Sequence, residues 1–217
     1  MPPLEHQFGS TQFQTSISGL LKFEVKSWLG RILFKPRAPV EKYIHIGAGE
    51  TVLPNFENLD FYRFRPEATS KHRVGHDLRY PLPYPDQTFS GAYSEHTLEH
   101  LYPGQAVALL KEVCRVLKPG AVFRCTVPDL KKYVDFYVGK EVDAEFRKFS
   151  SGCEAIWSLT QNWVHLSVWD ASMLSQKMIE AGFKTAAEKK FREGENPDLL
   201  MDTEARRWET LYVEAVR

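Results

Sequence analysis

From Tyr43 onward, short apolar runs of strand length alternate with stretches of helical periodicity, and this alternation constrains the fold more than any other feature. Tyr43, Ile44 and Ile46 make a short strand that ends at Gly47-Ala48-Gly49. Glu57 to Tyr62, Val74 to Asp77, Phe89 to Ser94 and Ala121 to Val127 are the next candidates. Gln105 to Leu117 carries Val107, Leu110, Val113, Val116 and Leu117 at helical spacing and stops at Lys118-Pro119-Gly120, a basic residue followed by breakers. Leu130 to Phe149 reads as one helix or two short ones. Asp170 to Ala181 reads as another, with Asp170 as N-cap and Gly182 as stop. Phe183 to Phe191 and Trp208 to Val216 alternate like strands, and with no obvious helix between them they suit an antiparallel hairpin at a sheet edge. Strands interleaved with helices imply an α/β fold, a doubly wound, mostly parallel sheet that binds ligands beyond the carboxyl ends of its strands.

At 217 residues and 43% hydrophobic content the chain can close one substantial core. Lys35-Pro36-Arg37-Ala38-Pro39 is the one obvious linker, and it divides an N-terminal helical extension (1–40) from the main domain (41–217). Lys+Arg and Asp+Glu both total 28, so no basic field draws the chain to nucleic acid, and none is expected as a partner. Cys114, Cys125 and Cys153 are odd in number and widely spaced, which argues against a disulfide framework or zinc knuckle and for a reducing compartment. The first residues lack the pattern of a secretory signal, and no apolar run reaches membrane-spanning length, so a cytoplasmic protein is expected. Within residues 18–35, Leu21, Val25, Trp28, Leu29 and Ile32 fall at helical spacing beside Lys22, Lys26, Arg31 and Lys35. This basic amphipathic helix is read as packing on the domain or covering its pocket, with membrane contact as the weaker alternative because Glu24 and Gly30 interrupt the pattern.

Four signals lie at or near the expected strand ends. Gly47-Ala48-Gly49 lets backbone approach a ligand closely, yet it lacks both the third glycine of a dinucleotide fingerprint and the Gly-Lys-Ser/Thr of a phosphate loop. A ligand without phosphates is the easier fit. Asp60 ends the second strand, where a carboxylate can accept two ribose hydroxyls. Asp77-Leu78 follows the third, a carboxylate and an apolar residue suited to an exocyclic amine and an adenine face. Leu117-Lys118-Pro119-Gly120 closes a helix before a strand.

In this order the motifs resemble the class I S-adenosylmethionine-dependent methyltransferases, in particular the group that includes the ubiquinone/menaquinone methyltransferases (methyltransferase type 11). The resemblance runs from about Tyr43 to Asp129. It is carried by Asp77, Leu82-Pro83, Glu99-His100 and Leu117-Lys118-Pro119-Gly120, and more faintly by His165, Trp169-Asp170 and Ala181-Gly182-Phe183. It implies a Rossmann-like seven-stranded sheet with an antiparallel edge strand and S-adenosyl-L-methionine as cofactor. Gly47, Ala48 and Gly49 would line the cofactor's amino-acid part, Asp60 hold the ribose, Asp77 and Leu78 the adenine, and Ser94 to His96, including Glu95, lie under the sulfonium. Three departures stand out. His45 occupies a usually acidic position, Asp60 comes so soon that the first helix is cut down to the Leu53-Pro54 turn, and Ser90 replaces a frequent Asp.

Methyl transfer to a hydroxyl needs a base, and at neutral pH that points to histidine. His165 is the leading candidate and His96 the second. His96-Thr97-Leu98-Glu99-His100 has the spacing of a helical zinc-protease motif, but no further ligand is evident in the sequence, so no metal is expected. Asp129 reads equally as an acceptor ligand or as a helix N-cap. Tyr133 and Trp163 belong to an aromatic segment that would shape the acceptor pocket, with core packing as the alternative. The expectation is methyl transfer to oxygen on a small-molecule or saccharide acceptor. The alternatives are C- or N-methylation of a quinone-like or amine acceptor, and a non-catalytic S-adenosylmethionine-binding protein.

Overall fold

The computed structural model describes residues 17–33, 38–60 and 73–217. Tyr62 and most of the Lys35–Pro39 linker lie outside the described residues. Seven strands form one sheet in the order β3-β2-β1-β4-β5-β7-β6: β1 (Tyr43–Ile46), β2 (Phe56–Asp60), β3 (Arg73–Gly75), β4 (Phe89–Glu95), β5 (Leu117–Pro128), β6 (Thr185–Lys189) and β7 (Thr210–Val216). β1 to β5 pair in parallel. Both antiparallel pairings lie at one edge, where β7 runs between β5 and β6. The strand order reverses between β1 and β4, which opens a crevice beyond their carboxyl ends.

Gly47–Asn55 connects β1 to β2 without a helix, as the early position of Asp60 requires. Asn58 closes this short connection: its side chain accepts from Leu53 N and donates to the Leu53 and Phe56 carbonyls. One face of the sheet is covered by α2 (Pro103–Val116) and α5 (Ala171–Glu180). Leu109, Leu110 and Val113 of α2 and Leu174 and Met178 of α5 are buried against Ile44, Ile46, Phe123 and Val213. Over β1, β2 and β4, Leu199 of the β6–β7 connection packs on Tyr43, Phe56, Tyr93 and Val122. The nine-residue turn is too short to supply a helix there, and the long β6–β7 connection takes its place. Arg124 of β5, fully buried, is held on that same connection by Asp202 and on β7 by Glu214.

Beyond β5 the chain builds a satellite layer from α3 (Leu130–Tyr137), a 3₁₀ turn (Ala144–Lys148) and α4 (Gly152–Gln161). Tyr133, Phe146, Ala155 and Leu159 are its core. Among the described side chains of α1 (Ile17–Leu33), Ser27 donates to Asp77, and Glu24 pairs with Arg79 at 2.6 Å. Leu21, Val25 and Trp28 stand exposed on it. No described helix is long and apolar enough to cross a membrane.

Candidate active site

The crevice begins at the turn after β1. Gly47 has φ +72°, and a Cβ there would lie 2.1 Å from Thr97 Oγ1, so only glycine fits between the turn and the segment after β4. Gly47 and Ala48 both donate to the Leu59 carbonyl. Gly49 N–H donates to Asp60 Oδ2 at 2.6 Å, which joins the glycine turn to the acidic residue at the end of β2. Ser94 ends the buried part of β4 with its hydroxyl at 1% exposure and without a hydrogen-bond partner. This cradle of backbone, carboxylate and unpaired hydroxyl suits a polar ligand that brings no phosphate.

Two of the expected contacts are already engaged. Asp77, buried, accepts from Arg79 through both oxygens and from Ser27. Burial alone would raise its carboxyl, but these hydrogen bonds outweigh it and hold the group below the usual carboxylate range. Glu95 turns toward the β6–β7 connection, accepting from Thr203 N at 2.9 Å and Thr203 Oγ1 at 2.6 Å. Leu78 packs half-buried on the main core. His45 does not face the turn at all. It is buried between Phe56 and Tyr93, 3.1 Å from Asn58 Oδ1, and burial drives its imidazole down to about 4.

A second recess of about 560 Å³ lies beyond β4 and against the satellite layer. Four of the expected residues meet there: His96, His165, Tyr133 and Trp163. The His-Thr-Leu-Glu-His run is not a helix. His96 is left-handed at φ +49°, and only Leu98–His100 forms a 3₁₀ turn, so the spacing does not put both histidines on one helical face. His165 Nδ1 lies 2.6 Å from the Leu159 carbonyl, which can only accept, so Nδ1 carries the proton and Nε2 is left with its lone pair. Burial holds this ring below the ordinary histidine range. His96 is more enclosed. Its Nε2 contacts Thr210 Oγ1 at 2.8 Å, and because that hydroxyl donates onward to the Arg206 carbonyl, Nε2–H is the donor. Trp163 and Val164, which lead into His165, both have φ near +60°, a costly conformation for a β-branched residue. Asp129 lies outside this recess and caps α3, accepting from Lys131 N at 2.9 Å.

Residues 62–125 match the family model described as a methyltransferase domain. The match spans under a third of the chain. A S-adenosylmethionine-dependent methyltransferase from Archaeoglobus fulgidus is similar in structure at 17% identity and TM-score 0.52, over 93% of this chain and 100% of the other. A chain in the complex of the Haloferax volcanii Trm112 methyltransferase activator with a proposed methyltransferase is similar at 17% identity and TM-score 0.50, over 90% and 91%. At these identities the likeness is one of fold. No curated protein matches the sequence.

A methyltransferase domain of this fold takes S-adenosylmethionine, which supplies an activated methyl group on sulfur. The protein's own task is then to hold the acceptor in line and shield the transfer from water. Several residues of its recess went unmarked in the sequence: Arg206, Trp208 and Glu209 arrive from the connection before β7, and Lys148 from the 3₁₀ turn. Glu209 accepts the Tyr133 hydroxyl, and Lys148 lies 3.6 Å over the Trp208 ring. No local motif marks them. Thr97 was closer to view, since it sits inside the His-Thr-Leu-Glu-His run, but its contact with Gly47 crosses the sheet.

Proposed function

We propose that this methyltransferase transfers the methyl group to a hydroxyl of a small molecule or saccharide, with His165 as general base. The observation that carries the reading is the His165 ring: Nδ1 is fixed by the Leu159 carbonyl, and burial keeps Nε2 unprotonated at neutral pH beside the recess. His165 Nε2 would take the proton of the acceptor hydroxyl as that oxygen is methylated, the methyl group being what S-adenosylmethionine would supply when bound. His96 is the second candidate base. Tyr133 and Trp163 form the aromatic wall for the acceptor, whereas the capping bond of Asp129 favours its helical role over an acceptor contact.

For the cofactor, Gly47, Ala48 and Gly49 would accommodate the amino-acid part, Asp60 the ribose, Asp77 and Leu78 the adenine, and Ser94 the region under the sulfonium. Residues 1–40 are read as an extension to a 41–217 domain. Three free cysteines, two of them buried, support a cytoplasmic setting.

The test is methyl transfer across a panel of sugars and hydroxylated aromatics, wild type against His165→Ala, with cofactor affinity measured by calorimetry. The expected result is a 10²–10⁴-fold loss of turnover at unchanged affinity. Full turnover in the variant would remove the base role and turn the search to carbon or nitrogen acceptors.

A further inference from the structure

Glu99 is the most unusual side chain in the recess. It is 1% exposed, and neither carboxylate oxygen has a hydrogen-bond partner. An unsatisfied buried carboxyl is costly. The nearest nitrogen is His96 Nδ1, 3.3 Å from Glu99 Oε1, on a ring whose proton sits on Nε2, so this contact brings no donor to the carboxylate. His100 Nε2 is 4.0 Å from Glu99 Oε1, and the His100 and His165 rings lie edge to face with centroids 5.0 Å apart. One ligand atom from each of Glu99, His100 and His165 falls within 4.8 Å of the others.

We infer that Glu99, His100 and His165 form a binding site for a divalent transition-metal ion in the acceptor recess. Two imidazoles and one carboxylate are the donor set of open zinc and related sites, in which a remaining position is left for water or substrate. Ligand atoms about 2 Å from such an ion lie about 3.4 Å from one another, so closing the site takes rotamer adjustments and no movement of the sheet. The tautomer of His165 is already correct: its Nδ1–H donates to the Leu159 carbonyl, the outer contact that orients metal-binding histidines, and Nε2 is the free donor. The left-handed backbone at Trp163 and Val164 delivers this ring to the cluster. Arg206 and Lys148 line the recess as well and oppose a cation, while Glu209 offsets them.

The site stands on geometry. Its use rests on the reading above, where the open position would take the acceptor hydroxyl. With the ion bound, His165 Nε2 is a ligand, and the ion would lower the pKa of a hydroxyl at the open position in place of a free base. The sequence hid the site because the third ligand is remote in the chain from His96–His100.

The full chain, stripped with chelator, would be titrated with Co²⁺ and its visible absorption followed. One equivalent with the intense bands of a low-coordinate nitrogen and oxygen site is expected, displaced by Zn²⁺. In Glu99→Gln and His165→Asn the bands should vanish or the affinity fall at least tenfold, with S-adenosylmethionine affinity unchanged as the control for folding. Absence of the bands in wild type at millimolar Co²⁺, or unaltered affinity in Glu99→Gln, would overturn the site. Methyl transfer that persists in chelator beside absent bands rejects the metal and keeps the enzymatic reading. Bands without oxygen methylation of any acceptor keep the metal and reject that reading.

Discussion

At the residue scale, single side chains decide what two strand ends can hold. Gly47 combines a left-handed backbone with a contact to Thr97 that no Cβ can share. Gly47→Ala is therefore expected to cost about 1–3 kcal/mol in stability, the range for a strained backbone position, and to weaken cofactor binding more than tenfold. Thermal denaturation and calorimetry read the two effects, and wild-type values in both would refute the close-packed turn. His45 shows the opposite case, a polar residue absorbed into the core. Its folded-state value of about 4 lies below the ordinary 6.5, so the unfolded chain takes up the proton first as pH falls. The stability His45 contributes is present above pH 6.5 and is lost progressively between about 6.5 and 4, up to about 3 kcal/mol. Denaturant titrations of wild type and His45→Gln across that window should converge toward low pH, and parallel curves would rule out a buried neutral imidazole.

At the element scale, α1 and the Trp163–Val164 segment each hold part of the site under constraint. Ser27 of α1 occupies an oxygen of Asp77, the carboxylate expected to meet the adenine, and Glu24 draws on Arg79 beside it. If α1 competes with the cofactor for Asp77, Ser27→Ala will tighten S-adenosylmethionine binding several-fold. Weaker binding would mean that α1 helps to build the pocket. Among the described side chains of the helix, Leu21, Val25 and Trp28 are exposed, while Ser27 and Glu24 make two charge-assisted contacts with Asp77 and Arg79 that helical spacing alone did not mark. The central strands and α2, by contrast, lie close to where short apolar runs and helical spacing put them, the strands buried almost continuously as in a sheet covered on both faces.

At the scale of the whole molecule, the sheet's far edge is locked by a buried charge cluster. Arg124, Asp202 and Glu214 are all essentially inaccessible and tie β5, the β6–β7 connection and β7 together. Removing one partner leaves a buried charge unpaired, so Asp202→Ala should cost about 3–5 kcal/mol. Chemical denaturation measures it, and a loss below about 1 kcal/mol would mean that water reaches the guanidinium. Because Thr203 beside Asp202 also holds Glu95, the same variant is expected to loosen the end of β4.

Read along the chain alone, the residues already specify the order of strands, the shortened first connection and the glycine turn with Asp60 close behind it. These depend on contacts between near neighbours or on motifs read in order, and local chemistry suffices for them. Tertiary packing alone settles that Leu199 covers the sheet over β1, β2 and β4, that His45 is core, that Asp77 is held by Arg79 and Ser27, and that His165 meets Glu99 and His100. Each joins segments far apart in the chain, and such meetings are fixed by how the sheet and its layers pack, which no local spacing encodes.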